Sequence, residues 1–414
     1  MPSCRKAHLS LKVVSMRPVV FVVSLILICL LIGGCAADRD FDDCLRSIVE
    51  PYRFSLAKWE FKTLPDEVKQ SLFGKPEKVD DEISVVADYF ALNEQIRKLE
   101  ADREQGDASS ETLKKLREQR AALAVEVERI LEKQIREALA GQGIFNPADW
   151  SEVRFPPLSF RLETPPYLLV VSPRDRIESI REIPLQPAVS LEEAEAIEAE
   201  VDKLGVSSLM VELGGFGGTF PTLVSDDASL CFTLDTIVEE WLHQYLSFKP
   251  LGFRYVLDAI GVSRNYEIAT MNETVASMVS QEIGALVFEK YYSQQGNGTK
   301  QSQTAKSGFD FNKEMREIRK AVDEYLARGE IEAAEAFMEQ KRQYLASMGY
   351  RIRKLNQAYF AYYGTYADKP TSISPIGVEL KKLREQSASL KDFLDKVAIM
   401  TSRQDLKLAL GEAQ

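Results

Sequence analysis

The spacing of apolar residues between positions 92 and 130 constrains the fold more than any other feature. Leu92, Ile96 and Leu99 recur at helical spacing, and residues 104–110 interrupt the pattern. A second apolar run then resumes with Leu113, Leu116, Leu123, Val127 and Ile130, with Arg120 at one core position. Apolar residues three and four apart on a charged background lie on one face of a helix. The sequence therefore predicts a helical hairpin that acts as a stalk, a packing arm or a dimer contact.

The same periodicity predicts a second hairpin near the C-terminus. Its first face consists of Met315, Ile318, Val322, Tyr325 and Leu326, the turn is Arg328-Gly329, and an apolar return runs over residues 331–348. Residues 380–410 form a further amphipathic segment, which we expect to cap the fold. Both hairpins are candidate contacts for a homo-oligomer.

The segment between the hairpins has a different composition. Prolines cluster between positions 147 and 166, and two strand-like runs, residues 167–171 and 207–212, flank an Ala/Glu-rich helix at 191–203. Residues 214–218 read Gly-Gly-Phe-Gly-Gly but lack the Lys-Ser/Thr ending of a phosphate loop. We predict a turn beside a cleft. The fold class that follows is α+β, mainly α, with a small sheet and two long helical hairpins.

The first 34 residues have the features of an export signal. Residues 1–17 contain four basic side chains and no acidic one, an apolar run spans 19–32, and Gly33-Gly34 precede Cys35. The Ile-Gly-Gly-Cys sequence resembles a bacterial lipobox. This predicts lipidation of Cys35 and a membrane-anchored protein that faces the extracytoplasmic side. A single uncleaved transmembrane anchor at the N-terminus is the alternative.

Cleavage at this point changes the charge and the histidine content. Residues 1–34 contain four positive charges and His8, so the formal net charge goes from −11 to −15 and His243 is the only remaining histidine. The acidic balance argues against nucleic acid as a partner. Cys44 and Cys231 remain besides Cys35; one disulfide between them is compatible with the sequence.

Two short segments contain side chains suited to metal binding and proton transfer. Residues 239–243 read Glu-Glu-Trp-Leu-His, and residues 271–274 read Met-Asn-Glu-Thr, at the start of a helical run predicted for 273–291. Positions i and i+4 share a helix face, so Glu239 and His243 are expected to point at the same ion. Glu240 follows Glu239 by one residue, so its side chain is expected to point beside this face, toward a water at the open coordination position of the metal.

These segments resemble the two-helix metal site of gluzincin-like metallopeptidases, in particular proposed bacterial aminopeptidases with an H-E-x-x-H and an N-E pair. The resemblance extends to residues 355–358, Leu-Asn-Gln-Ala, and to residues 364–366, Gly-Thr-Tyr. It implies a zincin-like catalytic domain whose second helix supplies a third ligand, a glutamate.

Carried onto this chain, the resemblance implies Glu239, His243 and Glu273 as metal ligands, Glu240 as the general base and Tyr366 as the group that steadies a substrate oxyanion. The implied function is an aminopeptidase-like, metal-dependent peptidase acting on peptides or proteins, with Zn²⁺ as its cofactor. The alternative is a catalytically degenerate peptidase fold that binds peptides or envelope partners.

Glu239 departs from the family pattern, which has a histidine at this position. A carboxylate can ligate zinc, but a site with two carboxylates and one imidazole is richer in oxygen and suits harder cations. Mn²⁺ and Fe²⁺ are therefore alternative metals. A site that has lost its metal is a further alternative. The expected organisation is a signal (1–34), an N-terminal hairpin region (36–141), a zincin-like core (142–311), an inserted hairpin with the Tyr366 element (312–366) and a helical cap (367–414). The inserted hairpin is expected to roof the cleft or to pack on the first hairpin.

Overall fold

The computed structural model describes residues 39–56, 58–59, 81–104, 110–145, 155–295, 309–369 and 371–412. The predicted signal and Cys35 lie outside the described residues. Within these ranges, no helix combines the length and the apolar character needed to cross a membrane.

The described chain is mainly helical, with two small sheets, as the α+β class predicts. Its helices are α1 (Arg39–Val49), α2 (Glu82–Glu104), α3 (Ser110–Gly141), α4 (Leu191–Asp202), α5 (Leu230–Leu246), α6 (Pro250–Ala259), α7 (Tyr266–Tyr292), α8 (Phe311–Ala327), α9 (Ile331–Ser347), α10 (Gln357–Tyr363), α11 (Ile376–Glu385), α12 (Leu390–Ala398) and α13 (Arg403–Ala409). Its strands are β1 (Phe160–Leu162), β2 (Tyr167–Pro173), β3 (Arg181–Leu185), β4 (Val206–Glu212), β5 (Gly215–Phe216) and β6 (Thr222–Val224).

The strands form two three-stranded sheets. One has the order β3-β2-β4 and is antiparallel, with Tyr167 of β2 paired to Leu185 on one side and to Glu212 on the other. The other has the order β1-β6-β5, in which β1 and β6 are parallel. Strands β2 and β4 and helix α4 lie where the sequence predicts them. Strand β3 was not predicted because Pro184 and its charged residues lack a strand signature; proline is tolerated there because β3 is an edge strand.

Helices α5 and α7 pack side by side at the centre of the main core. Their buried apolar residues include Leu234, Leu242, Val275 and Ile283. Burial of each such side chain contributes about 1.5–3 kcal/mol. The two helices approach closely at Gly284, because a side chain there would overlap the carboxylate of Asp235. This contact fixes the face that α5 presents to α7.

The first predicted hairpin is α2 and α3, and it packs into this same core. Val86 and Tyr89 of α2 and Ile130 of α3 belong to the apolar cluster that includes α5 and α7. Arg120 interrupts the α3 seam because its guanidinium donates to the Asn93 side chain at 3.0 Å and to the main-chain oxygen of Asp226 at 2.9 Å. Of the predicted roles, the described packing corresponds to a packing arm.

The second predicted hairpin, α8 and α9, has a core of its own. Met315, Ile318 and Met338 cluster with Leu355 and Phe360 from the segment around α10. Among the described residues, the buried clusters of the two hairpins are therefore separate. The hairpin is tied to the first sheet, since Arg174 forms a two-pronged contact with Glu335 at 2.7 and 2.8 Å.

One other expectation needs correction. The helical run predicted to open at Asn272-Glu273 begins earlier, at Tyr266, because the side chain of Asn265 caps it by accepting from the backbone N–H of Ile268 at 3.1 Å. The amphipathic segment predicted at 380–410 is helical and consists of α12, α13 and the second half of α11. The compatible disulfide is not formed in the described structure, where Cys44 and Cys231 are separate thiols.

The reversal between α5 and α6 requires a glycine at position 252. A Cβ there would overlap the carbonyl group of Leu246, and main-chain atoms have little freedom to move aside. We expect Gly252→Ala to lower the free energy of unfolding by about 1–3 kcal/mol, as measured by urea denaturation. Gly141→Ala is the matched control, because a Cβ at Gly141 meets no atom within 4 Å. Equal stability of the two variants would contradict the packing described.

Candidate metal centre

Helix α5 presents different side chains on two adjoining faces. The helix starts at Ser229, whose hydroxyl accepts from the backbone N–H of Phe232, and runs without interruption to Leu246. Glu239 and His243, four residues apart, lie toward α7. Glu240 lies on the neighbouring face, against the glycine-rich turn. Glu239 and His243 thus share one face of the helix, as the i, i+4 spacing predicts.

The predicted ligands Glu239, His243 and Glu273 converge. One ligand atom from each lies within 4.8 Å of the others. Nε2 of His243 is 3.5 Å from Oε2 of Glu273, and the two side chains retain 17% and 12% exposure. The centre is therefore a recess between α5 and α7 with restricted access to solvent.

Asn272 orients the imidazole. Nδ1 of His243 and Oδ1 of Asn272 are 2.7 Å apart. Because an amide oxygen only accepts, Nδ1 donates to it and Nε2 faces Glu273. Such outer partners fix the tautomer of a ligating histidine. Asn272 therefore has a positioning role that the sequence pattern did not specify.

Tyr255 of α6 links two of the ligand residues. Its hydroxyl donates to Oε1 of Glu273 at 2.5 Å, and its ring stacks on His243 with centroids 5.4 Å apart and an interplanar angle of 23°. Sequence reasoning missed this residue because its position depends on the chain reversal at Gly252. The motif segments contain no local signal for it.

Tyr366 reaches the same recess from the segment after α10. Thr274, the residue after Glu273, accepts from the backbone N–H of Ala367 at 3.0 Å and donates to the carbonyl oxygen of Thr365 at 3.5 Å. These bonds fix the backbone on both sides of Tyr366. The Tyr366 hydroxyl also helps to lower the pKa of Glu273. The structure thus brings Tyr366 together with the predicted ligands.

Burial and neighbouring charges shift the pKa values of the three glutamates and the histidine of this centre in different directions. Burial raises the pKa of Glu239 to about 8, opposed by His243, and raises that of Glu240 to about 7. Burial disfavours charged His243, but the Glu273 carboxylate outweighs it and raises the imidazole pKa to about 10. Burial also acts against ionised Glu273; the positive charge of His243 and the hydrogen bond from Tyr255 nevertheless lower its pKa. His243 and Glu273 therefore form an ion pair when no cation is bound.

The donor set fits a divalent metal ion. One imidazole nitrogen and two carboxylates are ligands that Zn²⁺, Mn²⁺ and Fe²⁺ accept. Oε2 of Glu273 is buried without a hydrogen-bond partner in the described structure, and it points into the space shared with His243. A buried carboxylate oxygen of this kind gains most from a cation.

Comparisons of the chain with protein-family models, with curated proteins and with solved structures found no match. The interpretation of this centre therefore depends on its geometry and on the chemistry of its side chains.

Removing the Tyr255 hydroxyl tests its role at the centre. We expect Tyr255→Phe to weaken metal binding by about 10- to 100-fold, because the ring stack remains but Glu273 loses a donor that orients it. Competition with a chromogenic chelator measures the affinity. Tyr291→Phe is the control, since its hydroxyl donates to Glu137 at 2.6 Å outside this group of ligands. Equal metal affinities of the two variants would contradict a role of the Tyr255 hydroxyl in metal binding.

The pKa shifts also predict how pH affects the metal-free protein. The raised pKa of His243 stabilises the fold below pH 6.5, and this contribution is lost as the pH rises toward 10. The raised pKa of Glu239 acts in the same direction between pH 4.5 and 8. We therefore expect the free energy of unfolding, measured in EDTA, to fall from pH 6 to pH 9.

The contribution of one group to this pH dependence can be isolated. Glu239→Gln should make the slope shallower, because the amide no longer has to ionise inside the recess. Glu195→Gln, at an exposed position on α4, should leave the slope unchanged. If the slope is as steep in Glu239→Gln as in the parent protein, ionisation of Glu239 does not contribute to the pH dependence of stability.

Proposed function

We propose that this chain is a zincin-like, metal-dependent peptidase that hydrolyses peptide bonds in peptides or proteins. The observation that carries the proposal is the convergence of Glu239, His243 and Glu273 in one recess between two helices. The resemblance of these segments to aminopeptidase-like metallopeptidases supports the same conclusion.

Each side chain of the centre has a chemical role in this proposal. Glu239, His243 and Glu273 would hold the metal, which would supply Lewis-acid polarisation of the scissile carbonyl. Glu240 takes a proton from the attacking water and returns it to the leaving amine as the C–N bond breaks. A pKa near 7 suits a group that both accepts and donates a proton near neutral pH. The Tyr366 hydroxyl donates to the carbonyl oxygen as negative charge develops there.

Zn²⁺ is the first candidate for the metal. Two carboxylates and one imidazole also accept Mn²⁺ or Fe²⁺, since oxygen-rich sites prefer harder cations than nitrogen-rich ones do. Tyr255 helps to hold Glu273 in place and Asn272 helps to hold His243 in place for whichever ion binds.

We further propose that the protein acts at the membrane surface through a lipid on Cys35. The proposal is supported by the signal-like first 34 residues and the Ile-Gly-Gly-Cys sequence. Cys35→Ala is expected to abolish labelling by a clickable palmitate analogue, and mass spectrometry of the N-terminal peptide identifies the modification.

One observation favours a non-catalytic alternative. Tyr255 donates to Oε1 of Glu273, and Glu273 forms an ion pair with His243, so part of the charge of the recess is compensated without a cation. A site that has lost its metal would look similar, and the cleft would then bind peptides or envelope partners without cleaving them.

Metal content and hydrolysis, measured together, test the main proposal. We expect near-stoichiometric metal in the purified protein by inductively coupled plasma mass spectrometry, and loss of that metal in His243→Ala and Glu273→Ala. Glu240→Gln should retain the metal and lose hydrolysis of a fluorogenic peptide library by about 100- to 10,000-fold. This variant separates the base from the ligands. If the parent binds neither zinc nor manganese nor iron after incubation, the peptidase proposal fails and the binding alternative takes its place.

A further inference from the structure

The glycine-rich turn at residues 214–218 packs directly on the face of α5 that carries Glu240. Gly215 and Phe216 form strand β5, which pairs with β6, and the backbone N–H of Ser225 donates to the carbonyl oxygen of Gly214 at 2.8 Å. Gln244, four residues after Glu240 and on the same face, donates to the carbonyl oxygen of Gly217 at 3.4 Å. The turn is thus held by a strand on one side and by α5 on the other.

Two of these glycines leave the space that the Glu240 carboxylate occupies. A Cβ at Gly215 would lie 2.7 Å from Oε1 of Glu240, and a Cβ at Gly217 would lie 2.5 Å from Oε2. Neither separation is compatible with normal packing. A Cβ at Gly218, by contrast, would only meet the ring of Phe216 at 3.4 Å. At Gly217 every close atom belongs to Glu240, whereas a Cβ at Gly215 would also lie 2.6 Å from Cγ2 of Thr236, and a Cβ at Gly214 would overlap the ring of Phe232.

The turn also supplies a donor to the same carboxylate. The backbone N–H of Gly217 donates to Glu240. A main-chain donor cannot rotate away as a side chain can, so it selects one orientation of the carboxylate. Gly215 and Gly217 have φ angles outside the left-handed region, so their absent side chains, and not a special backbone conformation, explain the glycines.

We propose that Gly215 and Gly217 form a cradle that positions the carboxylate of Glu240 beside the three converging ligands. They are positioning residues, since they act through Glu240 and not on a substrate. The cradle gives the Gly-Gly-Phe-Gly-Gly sequence a purpose other than phosphate binding. Its catalytic consequence rests on the proposed peptidase function, whereas the packing of the cradle against Glu240 does not.

A stability cycle tests the cradle without any activity assay. Gly217→Ala should lower the melting temperature by roughly 3 °C or more, because the new methyl group overlaps the carboxylate. In a Glu240→Ala background the same substitution should have little effect, because the overlapping group is gone. In a Glu240→Gln background the loss should return, because glutamine has the shape of glutamate. Gly218→Ala is the matched control in all three backgrounds.

The same cycle remains decisive if Gly217→Ala alone does not fold. A double variant, Gly217→Ala with Glu240→Ala, that folds as well as Glu240→Ala supports the cradle. A double variant that is destabilised as much as the single variant overturns it, because the methyl group then clashes with something other than Glu240.

The catalytic part requires the hydrolysis assay. In variants that remain folded, Gly217→Ala should lower kcat by on the order of 100-fold with little change in KM or in metal content, because the base is displaced while the ligands are not. If kcat is unchanged while the stability cycle shows the overlap with Glu240, the cradle exists but does not position Glu240 for catalysis. If the parent protein hydrolyses no peptide, the peptidase proposal fails, and the stability cycle still decides whether the cradle exists.

Discussion

One imidazole shares a recess with three carboxylates, and this imbalance of charge governs the centre. If Glu239, Glu240 and Glu273 were all ionised beside a protonated His243, the recess would hold two uncompensated negative charges. Such charges are costly where solvent is restricted, so they are neutralised by protons or by a cation. The raised pKa values of Glu239 and Glu240 reflect the first solution. A divalent ion is the second, and it competes with the same protons.

The packing of α5 against α7 imposes this imbalance, and the surrounding donors moderate it. The close approach at Gly284 leaves the two helices no freedom to separate their acidic residues. Tyr255 and the backbone N–H of Gly217 each donate to one of the carboxylates and spread its charge. In the proposed peptidase, a metal bound by Glu239 would have one more negative ligand than one bound by a histidine there and would be a weaker Lewis acid. Positioning of the proposed base, Glu240, would then account for a larger share of catalysis.

Sequence patterns predicted most of the helices and the shared face of Glu239 and His243 because both depend on local periodicity, whereas Glu273 was expected from the family resemblance. The i, i+4 spacing of Glu239 and His243 fixes their shared face, and the apolar spacing of both hairpins fixes theirs. Strand β3 was missed because pairing with β2, and not its own composition, makes it a strand. Tyr255 and the glycine cradle were missed for a related reason: they reach the centre through chain reversals between elements. Helix α7 starts earlier than predicted because the side chain of Asn265 caps it, and this capping residue is a local signal in the sequence.

The scarcity of histidine gives this centre an unusual experimental property. In a chain without residues 1–34, His243 is the only imidazole, and it is held by Asn272 on one side and Glu273 on the other. Its ring therefore acts as an intrinsic spectroscopic label. Selective isotope labelling of histidine would yield one set of imidazole nuclear resonances, whose chemical shifts distinguish the protonated, neutral and metal-coordinated forms without any change to the sequence.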